Sequence, residues 1–136
     1  MLLIPVRVAP SPIEGNGLFT VAPVPAGTPV WRFQAGFDQA FAPEVVAALA
    51  APAREYLRRY AWIRREDGRA ILSGDHACFM NHSGTPNTGV PPGAGEPETT
   101  IALRDLAAGE ELTCDYRVFD AAAAEKLGEL PAGVSG

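Results

Sequence analysis

Lysine is nearly missing from this chain. Of its eleven basic residues ten are arginine, and Lys126 is the single lysine. Two readings explain the scarcity: a GC-rich coding bias, or an active site to which a lysine of its own would be a hazard. Cysteine is also scarce. Cys78 and Cys114 are too few for a disulfide framework, so a reduced, cytoplasmic protein is expected. No apolar run approaches the roughly 20 residues that span a bilayer. The opening "MLLIPVRVAPSP" lacks a basic n-region and is interrupted by Pro5 and Arg7, so it reads as a first strand rather than a signal peptide. With a net charge of −5 and no basic cluster, neither direct nucleic-acid binding nor membrane binding is expected. A basic peptide is the electrostatically sensible partner.

What is abundant is punctuation. Fourteen Gly and thirteen Pro in 136 residues favour many short elements over a helix bundle. The length suits one domain, and 47% hydrophobic with 20% charged residues is a globular composition. Leu2 to Val8 reads as a strand. Ser11 to Phe19 turns the chain at Gly15 and Gly17, and "LFTV" and "TPVWRF" read as further short strands. Glu44 to Ala50 and Ala53 to Tyr60 read as two short helices separated by Pro52. In the second helix Ala53, Tyr56, Leu57 and Tyr60 form an apolar stripe, with Arg54, Arg58 and Arg59 facing water. "AWIRREDGRAILS" reads as a hairpin turning at Asp67-Gly68. "TGVPPGAGEPE" reads as a loop, "TTIALRDL" as a half-buried strand, and "AAGEELTCDY" as a turn at Gly109 followed by a strand that carries Tyr116. The Ala-rich start of the tail reads as helix, and its end as frayed.

Three stretches could carry chemistry. "EGNGLF" offers a tight turn whose backbone N–H and C=O groups a ligand could approach closely. It lacks the third Gly and the helix of a dinucleotide-binding fold. "FMNHSGTPN" places Asn81, His82, Ser83 and Asn87 at one bend, with more hydrogen-bonding groups than a turn requires. His76, Cys78, His82 and Cys114 lack the spacing of a structural zinc site, so no metal is expected. In "GEELTCDY" the adjacent Glu110 and Glu111 should point to opposite faces, which disfavours a paired-carboxylate site.

In this order and spacing, "GNGLF", "FMNHSGTPN" and "LRDLAAGEELTCDY" resemble the SET-domain family of protein lysine methyltransferases. The resemblance runs from about Ile4 to Phe119. It implies a mainly β fold (a β-clip) of short strands in several small sheets, with one or two short helices and a C-terminal pseudo-knot. A SET domain over residues 1–120 and a tail over 121–136 are expected. The resemblance implies that S-adenosyl-L-methionine is the cofactor and a lysine in a basic protein or peptide the substrate. It implies that Gly15, Asn16, Gly17, Leu18, Asn81 and His82 bind cofactor, that Tyr116 is catalytic and also touches cofactor, and that Cys114 and Phe119 line the lysine channel.

The departures from the family pattern are equally definite. Gly84 replaces the cysteine of N-H-S-C, and the cysteine-rich C-terminal segment that holds zinc in many relatives is missing, so its zinc should be missing too. Either the tail or a second subunit, in a homodimer, then closes the lysine channel, or the channel is open and activity is weak. Cys78 stands where many relatives carry Arg, and Cys114 where they often carry Phe or Tyr, which implies room for more than one methyl group. Two other classes remain: a SET-like module that binds cofactor or a basic peptide with little chemistry, and a purely structural β-protein.

Overall fold

Short strands separated by Gly and Pro fold into three small sheets in the computed structural model, which describes residues 1–90 and 99–128. In chain order the elements are β1 (Val6–Pro10), β2 (Asn16–Thr20), β3 (Pro29–Arg32), β4 (Gln39–Phe41), α1 (Pro43–Ala48), α2 (Ala51–Tyr60), β5 (Trp62–Ile63) and β6 (Ala70–Leu72). A 3₁₀ turn (His76–Phe79) leads to β7 (Asn81–His82), β8 (Thr88–Gly89), β9 (Thr99–Ala102), β10 (Glu111–Cys114), α3 (Tyr116–Phe119) and α4 (Ala123–Lys126). The fold is thus mainly β, as expected. Beyond the two helices expected before the tail and the one expected at its start, it has one more single-turn helix, α3. The chain divides into two units, each built from two segments: Met1–Asp38 with Ser73–Asp115, and Gln39–Leu72 with Tyr116–Gly136.

The first unit contains a four-stranded sheet in the order β1-β2-β10-β7 and a three-stranded sheet in the order β3-β9-β8. β1 and β2 form an antiparallel hairpin running from Val6↔Thr20 to Pro10↔Asn16. The expected strand at Leu2 starts later, at Val6, and Leu2 makes only an isolated bridge to Trp31. Pro5 explains the delay, since it has no N–H to give a ladder. β10 lies antiparallel to β2 (Leu112↔Leu18) and parallel to β7 (Thr113↔Asn81, Cys114↔His82). A central position explains why Leu112, Thr113 and Cys114 are all buried rather than alternating. Leu18, Val30 and Leu112 are fully buried.

Polar side chains substitute for ladder bonds beside β10. Asn87 Oδ1 accepts the Thr113 N–H at 2.9 Å, Asn87 Nδ2 donates to the Glu111 carbonyl at 2.7 Å, and the Thr88 hydroxyl donates to the Thr113 carbonyl at 2.7 Å. Each buried polar group is thereby satisfied. Asn87, from the polar bend of the sequence, is therefore a clamp on the central strand.

The second unit contains the sheet β4-β6-β5 and helices α1 to α4. Leu57, Ala61 and Ala70 form its buried cluster, with Phe41, Val46, Leu49, Ile63 and Leu72 packed against them. The stripe on α2 is narrower than its spacing suggested. Leu57 is buried and Ala53 and Tyr60 partly so, but Tyr56 is 54% exposed, its ring tilted against that of Tyr60 at 4.9 Å. β5 and β6 pair antiparallel, confirming the hairpin. Gly68 takes φ +70° in its turn, and Asp67 is bridged by Arg64 (2.7 Å) and Arg69 (3.3 Å). The Arg64 bond holds the Asp67 carboxyl down at about 2. Gly68→Ala should cost about 1 kcal/mol, the penalty for a Cβ in left-handed backbone. A urea midpoint unchanged from the parent protein would contradict this.

The Ala-rich start of the tail forms α4, as expected, while residues 129–136, and residues 91–98 of the stretch expected to be a loop, lie outside the described residues. Among the described residues no helix is long and apolar enough to cross a membrane.

Candidate active site

The turn between β1 and β2 is held closed from two sides. Across its base the Ser11 N–H donates to the Gly15 carbonyl at 2.8 Å. Gly15 takes φ +47°, and a Cβ there would meet nothing within 4 Å, so the main chain at this point faces open space. From β7, Asn81 Nδ2 donates to the carbonyls of Glu14 (3.1 Å) and Asn16 (3.2 Å) and to Glu111 Oε2 (2.9 Å). Three acceptors around one amide nitrogen define which end of the Asn81 amide is nitrogen. Its Oδ1 has no hydrogen-bond partner among the described residues and is left as an acceptor for a ligand.

Five of the expected cofactor residues therefore lie on neighbouring strands or the turn they share: Gly15, Asn16, Gly17, Leu18 and Asn81. Leu18 is fully buried and paired with both β1 and β10, so its side chain is closed to a ligand. His82 follows Asn81 in β7 and pairs with Cys114. Its Nδ1 lies 3.6 Å from Asp115 Oδ1. The Ser83 N–H donates to the Cys114 carbonyl at 3.0 Å, extending the β7–β10 contact, and Ser83 Oγ accepts the Thr85 N–H at 3.1 Å. Cys114 is 7% exposed at the end of β10.

Tyr116 and Phe119 belong to the second unit. The expectation that Tyr116 sits in the last strand is corrected: β10 ends at Cys114, and Tyr116 opens α3. Its carbonyl accepts the Asp120 N–H at 2.8 Å, which closes the helical turn. The Phe119 ring packs edge-on against Tyr116 (6.1 Å) and Trp62 (5.3 Å), so the two expected site aromatics are fixed on one another. Such T-shaped pairs are a favoured aromatic geometry.

Neither Cys78 nor Cys114 is in a disulfide, and burial pushes the Cys78 thiol up. Among the described residues no three His, Cys, Asp or Glu side chains are grouped to hold a metal. Glu110 and Glu111 do diverge. Glu110 pairs with Arg104 at 2.6 Å, which lowers its pKa, whereas Glu111 is bound by Ser11 and Asn81. The contact between Ser11 and Glu111 has no signature in the sequence. The two are a hundred residues apart, and no local pattern links them.

The SET-domain pattern matches residues 15–117, and the chain belongs to the SET-domain family. Solved structures agree on the fold. A Plasmodium falciparum chain classed as a histone methyltransferase is 14% identical with a TM-score of 0.57, over 85% of this chain and 95% of that one. A Neurospora SET-domain protein, a histone lysine methyltransferase, is 19% identical with a TM-score of 0.55, over 85% of this chain and 53% of that one. The protein KRYPTONITE, solved with mCHG DNA and SAH, is 22% identical with a TM-score of 0.56, over 85% and 24%. This chain thus spans nearly all of the first relative, about half of the second and a quarter of the third. No curated protein matches it in sequence.

Proposed function

We propose that this chain transfers a methyl group from S-adenosylmethionine to the side-chain amine of a lysine in a basic protein. The observation that carries the reading is the held turn: a Gly15–Gly17 loop pinned by Asn81, on a β7 strand paired with the strand that leads into Tyr116. The family match over residues 15–117 takes in that turn, Asn81 and Tyr116. When bound, the cofactor supplies an electrophilic methyl on a sulfonium.

The residues fit that group. Asn81 Oδ1 can accept from an α-ammonium, and the open main chain at Gly15 allows close approach. Transfer to an amine needs collinear donor and acceptor rather than a covalent enzyme intermediate, so the protein's task is orientation. Tyr116 is assigned to orient the amine through its hydroxyl and to favour the polarised methyl electrostatically. A strong general base is not required of it, since a phenol's ordinary pKa is near 10. The first unit has three basic residues, Arg7, Arg32 and Arg104, against nine carboxylates, which favours a cationic substrate.

The test is radiolabelled methyl transfer to a mixture of basic proteins, with cofactor binding followed by calorimetry. Binding without transfer would support the second reading, a module that holds cofactor or a basic peptide. Absence of both would remove the cofactor reading altogether. Cys114 carries a further expectation. A small side chain where relatives often carry Phe or Tyr leaves room at the amine, so products should include di- or trimethyl-lysine. Mass spectrometry showing monomethyl-lysine alone would overturn it.

A further inference from the structure

The Glu111 carboxylate is the point where Ser11, at the start of the candidate cofactor loop, and Asn81 of β7 meet. It accepts the Ser11 hydroxyl at 2.9 and 2.8 Å and Asn81 Nδ2 at 2.9 Å. Ser11 Oγ in turn accepts the Ile13 N–H at 2.9 Å, so one carboxylate ties the start of the turn to β7. Glu111 makes no ion pair among the described residues, and its hydrogen-bond partners are neutral donors. The same carboxylate explains Gly17. A Cβ at Gly17 would lie 2.4 Å from Glu111 Oε2 and 3.1 Å from Ser11 Cβ. Gly17 is not among the glycines at positive φ, so its requirement is space and not backbone conformation. Ordinarily the end of a flexible Glu would move aside. Here moving it breaks the bonds from Ser11 and Asn81.

We propose that Glu111 is the positioning residue of this loop: it sets the main-chain path of residues 11–17 and fixes the Asn81 amide so that Oδ1, not Nδ2, is presented to a ligand. Its importance for cofactor rests on the methyltransferase reading above. Its control of the loop does not. Glu111→Ala removes the anchor. Glu111→Gln keeps it, because a Gln Oε1 can still accept from Asn81 while the Ser11 hydroxyl turns to accept from the Gln amide. Gly17→Ala evicts the carboxylate and should copy Glu111→Ala. Since the two substitutions break one contact, the double variant should be no worse than the worse single one.

Hydrogen exchange of the amides in residues 13–17 and calorimetry with S-adenosylmethionine test this together. Glu111→Ala and Gly17→Ala should each speed loop exchange and weaken cofactor binding about tenfold, the loss of one net hydrogen bond of about 1.4 kcal/mol. KM for cofactor should rise while kcat changes little, and Glu111→Gln should behave as the parent. Uniform destabilisation without a loop-selective effect would overturn the proposal. So would multiplying effects in the double variant, or Glu111→Gln as damaging as Glu111→Ala, since charge and not position would then matter. If the parent protein binds no S-adenosylmethionine, the functional reading fails, and loop exchange in the same four variants still decides the role of Glu111.

Discussion

Tyr116→Phe should lower methyl transfer by roughly a hundredfold, the usual cost of removing one electrostatic donor from a reacting centre. The substitution deletes one oxygen and keeps the ring. The edge-on contact with Phe119 at 6.1 Å and the backbone bond from Asp120 to the Tyr116 carbonyl need no hydroxyl. Cofactor affinity and melting temperature should therefore stay close to those of the parent. The loss should fall in kcat, because the hydroxyl is assigned to the reacting amine and methyl. Steady-state transfer with a labelled methyl donor reads this directly. Full activity in the variant would remove Tyr116 from the chemistry. Lost activity together with a lowered melting temperature would place it in the scaffold of the second unit instead.

Asp120→Ala should be the most destabilising single change in the second unit, by about 3 kcal/mol. Asp120 is 1% exposed. Its Oδ2 lies 2.7 Å from the Lys126 ammonium, and its Oδ1 accepts the N–H groups of Ile63 (3.0 Å) and Ala122 (2.9 Å). Lys126 also donates to the Ala61 carbonyl. One carboxylate thus joins β5, the turn before α4 and α4 itself. Removing it strands two backbone donors and the half-buried ammonium of the only lysine. For a chain of this size the melting temperature should fall by roughly 10 °C. A fall within error of zero in a thermal scan would show that water satisfies these donors. The engagement of Lys126 also bears on its scarcity. Its amine is paired with the buried Asp120 carboxylate, so this lysine serves the scaffold whichever explanation holds for the absence of others.

Much of the fold was legible where local chemistry decides it. Gly68 and Gly109 mark turns because both take positive φ. The hairpin around Asp67 follows from its turn residues, and Pro52 falls in the first turn of α2, where a missing N–H costs nothing. Misreadings arose where tertiary context outweighs pattern. Tyr56 matched the apolar spacing of α2, yet it is exposed beside buried Leu57, because the face that the sheet of its unit covers is narrower than the stripe. Tyr116 continued a strand-like run, but β10 stops at Cys114 and a four-residue helix is too short to show a period.

The candidate site divides in the same way. The residue types at the Gly15–Gly17 turn, Asn81, His82 and Tyr116 were visible in sequence order, because their chemistry is concentrated in short motifs. The binding of Ser11 and of Asn81 by Glu111 was not, for these bonds close loops of a hundred and of thirty residues. By itself the sequence determined where the turns fall, which motifs carry hydrogen-bonding groups, and the family. Tertiary structure alone decided that β10 runs parallel to β7, that Asn81 spends its nitrogen on the protein, and that Gly17 must lack a side chain. The reason is physical: local propensity acts over a few residues, whereas these features depend on pairing between segments whose separation only the folded chain removes.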